Sequence, residues 1–378
     1  MTGKAIMHYQ RRQFLILGAG AALLPSFTRI ARPADVIFPG ATWEKAAPAD
    51  VGWSIDKLEM ARQFFQSLPP ASMVVVHRGR VIVEWGDPAK RIKVSSVRKS
   101  LLSALYGRYV RNGSISLDNT LEQLSIDDDP PLTQQEKRTT LRALLQARSG
   151  VYHSFVGGTP GMLATMPARG SHPSGTFWYY NNWDFNALGT IFEQQTHKRI
   201  VDAFRDEIAV PIGMQDFQLE DMYYDRSTES VHPTYAFRLS VRDMARFGYL
   251  FLRNGNWKDR QIVPQDWVRE STRSYSDVGD FYAFQGDVAG DLHRGYGYLW
   301  WVNQFALPME SFSAAGALGK YIVVIPEKET VVAFANHTEY PDSDKQRAMS
   351  DAELRSLPNV SFSQMGKLLN FFIEAQSG

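Results

Sequence analysis

The 378-residue chain contains no cysteine. That absence excludes disulfides, thiolate metal sites and cysteine nucleophiles together, so covalent chemistry must run through an oxygen or a nitrogen. The eight histidines show neither an HExxH pattern nor a paired metal spacing, which predicts no metal. Gly18 to Gly20 lies in an N-terminal leader and is no phosphate loop, so no cofactor is predicted either. Internal repeats and low-complexity tracts are lacking as well. Nor is there an excess of charge: 41 basic residues face 40 acidic ones. Five of the basic residues and none of the acidic ones fall in the first 34 positions, which leaves 36 against 40 beyond them. No basic block remains there to suggest nucleic acid or an anionic membrane as a partner. What is present, 44% hydrophobic and 12% aromatic residues, suits a soluble globular protein with a large core.

The N-terminus reads differently. YQRRQFLILGAGAALLPSF pairs Arg11 with Arg12, continues in an apolar run to Leu24 and stops at Pro25, and Arg32-Pro33-Ala34 offers a small-residue cleavage point. The run from Phe14 is far short of the roughly 20 residues a spanning helix needs. The segment resembles a twin-arginine export signal. It predicts removal of residues 1–34, passage through the twin-arginine machinery, and a periplasmic or secreted protein with no stable membrane insertion.

Along the remainder, 35–378, Ser54 to Leu68 reads as a helix capped by Ser54, with Leu58, Ala61, Phe65 and Leu68 as its stripe. MVVVHRGRVIVEWG then reads as a hairpin turning at His77 to Arg80. From Val94 to about Tyr224 helical signals dominate, including Thr140 to Gly150 and Asp184 to Thr196, and they continue through SVRDMARFGYLFLRNG and QDWVRESTR. Strand character returns in YGYLWWV, KYIVVIPEK and TVVAFANHT, before a last amphipathic helix from Phe362 to Ala375. The expectation is an α+β chain. One antiparallel sheet is built from both ends (about 35–92 and 285–378) and flanked by helices, beside a mainly helical region (about 93–284).

Within VSSVRKSLLSAL, Val97, Leu101, Ala104 and Leu105 recur at helical steps, so Ser96 and Lys99, three apart, share a face. A serine hydroxyl becomes a good nucleophile when a neighbour takes its proton, and a lysine serves when burial or nearby cations lower its pKa. Alone, Ser-x-x-Lys also fits a buried serine beside a solvated lysine. Two later stretches add to it: TFWYYNNWDFNALG, with Tyr180-Asn181-Asn182, and SFSAAGALGKYIVVIP, with Gly316 before a strong strand. In this order the three motifs resemble the serine β-lactamase and penicillin-binding protein superfamily. They resemble in particular its class C and family VIII esterase branch, which includes the 6-aminohexanoate-dimer hydrolases. TLRALLQARSGVYH, LSVRDMARFGYLFLRNGNW and YGYLWWV extend the likeness from about Trp43 to Asn336.

The resemblance implies Ser96 as the nucleophile, Lys99 as its base or cation, and Tyr180 as a phenolate relaying the proton to the leaving group. It implies that Asn182 orients substrate or holds Lys99, and that the backbone N–H groups of Ser96 and Ala317, beside Gly316, form the oxyanion hole. One departure stands out. The family's Lys-Thr-Gly is here Ala314-Ala315-Gly316, so the groups that grip a substrate carboxylate are missing, which favours a neutral ester or amide. Lys320 could substitute, but strand alternation predicts a surface position for it. Tyr152 and His153 lie in a loop that could border the pocket; His172 and Trp183 are weaker candidates. The leading expectation is an exported serine hydrolase working through an acyl-enzyme on a small ester or amide. A β-lactamase or D-Ala-D-Ala carboxypeptidase, and a non-catalytic binding protein that keeps the pocket, are the alternatives.

Overall fold

Helix α1 (Ile55–Gln66) starts where its cap predicts: the Ser54 side chain accepts from the Lys57 N–H, and Leu58 and Ala61 are buried. Strands β1 (Ala71–His77) and β2 (Arg80–Trp85) form the expected hairpin, its Arg78-Gly79 turn having positive φ at both residues. This computed structural model describes residues 36–278, 294–305 and 307–376. The export signal read in residues 1–34 lies outside them.

After β3 (Ile92–Lys93) come α2 (Val97–Arg111), β4 (Met222–Asp225), β5 (Thr234–Leu239) and the short hairpin β6 (Asn256–Trp257) and β7 (Arg260–Gln261). The remaining strands are β8 (Ser276–Asp277), β9 (Gly295–Tyr296), β10 (Trp301–Val302), β11 (Phe312–Gly316), β12 (Lys320–Ile325) and β13 (Thr330–Asn336). The main sheet is antiparallel with the order β2-β1-β13-β12-β11-β10-β9-β8, so the early hairpin joins the late strands as expected. In β1, β12 and β13 every residue is buried. Both faces are covered, which is why these strands read as continuous apolar runs. On one face the helix Val241–Leu252 lies so close at Gly248 that a Cβ there would come within 2.6 Å of Val331 and 2.7 Å of Ile322. On the other, Phe65 of α1 meets Phe334, and Phe372 of the helix Phe362–Ala375 meets Trp85.

Three expectations need correction. The helical region contains a three-stranded sheet, β3-β5-β4; β5 went unread because it is six residues long and lies among helical signals. YGYLWWV is not one strand: β9 and β10 are separated by a turn with Leu299 at φ 64°. The helix expected from Thr140 to Gly150 spans only Leu141–Leu145, and Ala147, at φ 54°, lies beyond it. In addition β8 joins the main sheet before position 285, so the sheet's C-terminal part begins earlier than read.

Candidate active site

Ser96 stands where β3 gives way to α2. The approach is pinned by the Val94 N–H donating to the Phe237 carbonyl of β5 at 2.9 Å. Ser95 then takes φ 49°, a left-handed conformation uncommon for a residue with a Cβ and frequent where a site stores strain. Ser96 is the N-cap of α2, yet its side chain makes no capping bond. The N–H groups of Val97, Arg98 and Lys99 donate to the carbonyls of Val94, Ser95 and Ser96. The Ser96 N–H has no such backbone acceptor among the described residues, so a positive helix end faces the site. Further along α2, Ser100 and Ser103 donate to the Leu299 and Tyr298 carbonyls at 2.7 Å, tying the helix to the β9–β10 turn.

One turn on, Lys99 Nζ lies 2.7 Å from Ser96 Oγ and 2.6 Å from the Tyr180 hydroxyl oxygen. The three sequence-predicted groups therefore meet at one point. Lys99 is 2% exposed. Burial, helped by the neighbouring Arg98 charge, holds its ammonium well below the usual lysine range. The rings of Tyr180 and Phe185 lie 4.3 and 4.5 Å from Nζ and favour the charged form. Such contacts are worth about 0.5–2 kcal/mol, against several kcal/mol for stripping water from an ammonium, so desolvation wins. The same burial pushes the Tyr180 phenol up to about 12, outweighing the lowering by Ser96 and Arg98. Both shifts run toward the uncharged forms, Lys99 as an amine and Tyr180 as a phenol.

Tyr180 is held by what surrounds it. The next residue, Asn181, caps the helix Asn182–Thr196 by accepting from the Trp183 N–H, and its amide donates to Val151 O and Asp184 Oδ1. Trp301 of β10 stacks on the Tyr180 ring at 5.2 Å and Phe185 packs at 5.0 Å. Asn182 does not reach Lys99: its amide nitrogen meets Gly157 O at 3.4 Å and Met162 Sδ at 3.8 Å. Its Oδ1 is buried with no partner among the described residues, and the residue lines the cleft. A buried acceptor left unpaired in this way is uncommon.

The third segment, β11, passes directly against Ser96. A Cβ on Gly316 would lie 2.3 Å from Val94 O and 3.1 Å from the Ser96 nitrogen, so only glycine allows this approach. Ala317 follows in the turn to β12, and both residues line the cleft with Ser96 and Tyr180. The cleft encloses about 1030 Å³, enough for a sizeable organic molecule. Ala315 lines it, whereas Ala314 does not and is fully buried.

Other expectations fared differently. Lys320 is fully buried, not at the surface: both faces of the sheet are covered here, so alternation leaves no exposed side. Tyr152 and His153 are buried, with His153 packed on Trp183, and neither lines the cleft. His172 stacks on Phe177, and Trp183 is fully buried with its indole N–H on Asp128. Among the described residues no group of three or more histidines and carboxylates could hold a metal ion. Two residues at the site were not singled out from sequence. Arg98 donates to Asn186 at 2.8 Å and lies 4.2 Å over Tyr235, and Trp301 supports the tyrosine. Only the position of Arg98 beside Lys99 could have pointed to it.

A sheet drawn from both chain ends, a helix that begins at a serine, and a lysine and tyrosine converging on that serine define the β-lactamase/transpeptidase-like class. The Beta-lactamase family model matches residues 55–356, and the chain belongs to that family. It is 24% identical over 305 residues to an uncharacterised protein of Alkalihalophilus pseudofirmus, covering 70% of this chain and 83% of that one. Among solved structures it is similar to a protein of Bacillus anthracis provisionally assigned as a 6-aminohexanoate-dimer hydrolase. The TM-score is 0.60 at 16% identity, over 88% of this chain and 86% of the other. It is also similar to a mutant class C β-lactamase, with a TM-score of 0.56 at 14% identity over 86% and 97% of the two chains.

Proposed function

We propose that this β-lactamase-family hydrolase is an exported serine hydrolase that cleaves a neutral ester or amide through an acyl-enzyme on Ser96. The position of Lys99 Nζ, between Ser96 Oγ and the Tyr180 hydroxyl and within 2.7 Å of both, carries this reading. A neutral amine accepts the Ser96 proton as Oγ attacks the carbonyl carbon. The developing alkoxide faces the backbone N–H groups of Ser96 and Ala317. Tyr180 then gives its proton to the leaving alcohol or amine and takes one back from the Lys99 ammonium, which restores the neutral pair. Water attacks the acyl-enzyme by the reverse proton path and releases the acid.

The neutral-substrate preference rests on Ala315, which lines the cleft without a donor for a carboxylate. Arg148, also at the cleft, is already engaged with Gly175 O and Ser276 Oγ. The test is to treat the protein with an active-site fluorophosphonate and map the adduct, and to compare Ser96→Ala with wild type on a short p-nitrophenyl ester. The expected result is a single adduct on Ser96, and a rate below a tenth of wild type for the variant with its thermal midpoint kept. An adduct elsewhere, or an active Ser96→Ala variant, removes Ser96 from the role.

A further inference from the structure

The two oxyanion donors come from segments far apart in sequence, the start of α2 and the β11–β12 turn. Their spacing has to be set by something other than local helix or strand geometry. Lys320, the first residue of β12, is paired with Gly316 across the hairpin and is fully buried. Its Cβ would be 3.2 Å from a Cβ on Gly316, so its stem lies against the residue that also presses on the Ser96 nitrogen. Its Nζ donates to the Leu318 carbonyl at 3.4 Å and to the Thr338 carbonyl. Leu318, at φ 61°, belongs to the turn that carries Ala317. The next residue after Thr338 completes a bridge: Glu339 accepts from the Lys93 N–H at 3.1 Å, three residues before Ser96, and from Arg238 at 2.5 Å. Residues 338 and 339 thus hold the Ala317 side through Lys320 and the Ser96 side through Lys93.

We infer that Lys320 is a positioning residue for the oxyanion hole, the buried end of a brace, Lys320–Thr338–Glu339–Lys93, that fixes the distance between the Ser96 and Ala317 N–H groups. This rests on the acyl-enzyme reading above. Burial pushes the Lys320 ammonium down to about 7 against the pull of Glu339. Even the neutral amine keeps two N–H donors for its two carbonyls, so the brace persists on either side of that value.

Removing an oxyanion donor costs roughly 10² to 10³ in kcat, and a misplacement of about 1 Å costs up to about 10². Lys320→Met keeps the stem and removes the donor. It should lower kcat for p-nitrophenyl butyrate by about tenfold or more, with KM changed less than about threefold, because the brace acts on the tetrahedral species. Phenylboronic acid, whose adduct on Ser96 places an oxygen in the hole, should bind more weakly by the same factor as kcat/KM falls. Lys320→Gln, which restores one donor on a shorter stem, should recover part of the loss. A wild-type protein that neither labels with fluorophosphonate nor turns over the ester removes the acyl-enzyme reading and this inference together. A labelled wild type whose Lys320→Met variant keeps its kcat and boronate affinity removes Lys320 alone. If Lys320→Met does not fold, Glu339→Ala, which removes the acceptor for the Lys93 N–H at the other end of the brace, decides, and wild-type kcat and boronate affinity in that variant overturn the inference.

Discussion

Arg98 is a buried cation beside Lys99, with one guanidinium nitrogen lacking a hydrogen-bond partner among the described residues and its other contacts made to an amide and a ring. A charge so placed repels a second one, which is the second cause, after burial, of the depressed Lys99 ammonium. The proposed mechanism needs Lys99 neutral, so under it activity rises with pH as Lys99 loses its proton. Replacing Arg98 by glutamine removes the repulsion, raises the Lys99 pKa and moves the acidic limb of kcat/KM to higher pH. At neutral pH the variant should be slower, and it should recover toward wild type as the pH is raised. An unshifted limb in a folded variant would show that burial alone sets the Lys99 ionisation. The Ser96 and Lys99 pairing was legible because helical spacing is local. Tyr180 was not legible on the same ground: it reaches Lys99 across 81 residues, and only the order of the motifs suggested it.

Among the elements, β11 carries the proposed preference for a neutral substrate. A hydrogen bond to a carboxylate is worth about 1.5–3 kcal/mol, or one to two powers of ten. Ala315→Thr supplies a hydroxyl on the cleft side of the strand, whereas Ala314 is fully buried and offers no such site. The substitution should raise kcat/KM for nitrocefin relative to a short ester by about tenfold. A wild type that already hydrolyses nitrocefin as fast as the ester, or a ratio unmoved by the change, would sink the neutral-substrate reading. Strands with strong apolar runs and capped helices were legible from sequence: β1, β2, β12 and β13, α1, and the helix Phe362–Ala375. The small sheet β3-β5-β4 was not: Tyr235, Phe237 and Leu239 do alternate with the half-buried Thr234 and Arg238, but the strand is six residues long and lies among helical signals. A different cause hid Lys320, because a period of two exposes a residue only where one face of the sheet is open.

For the whole molecule, the first question is where it works. We propose export from Arg11-Arg12 ahead of a short apolar run, and a chain without cysteine needs no oxidant to mature on either side of a membrane. Replacing both arginines with lysine should leave the precursor in the cytoplasm. Processed protein still reaching the periplasm would rule out the twin-arginine route. The sheet order carries a separate consequence. β1 and β13 are neighbours, and Ser72 is hydrogen-bonded to His337 from 265 residues away. Closing so long a loop is slow, and it cannot begin until the last strands have been synthesised. A growing chain that already displays Ser96 and Lys99 has neither Gly316 nor Ala317, nor the strand that pins β1. Under the proposed mechanism the protein is thus inert while it is being made: a chain that stops before Gly316 carries Ser96 and Lys99 but lacks Ala317, whose N–H would face the developing charge.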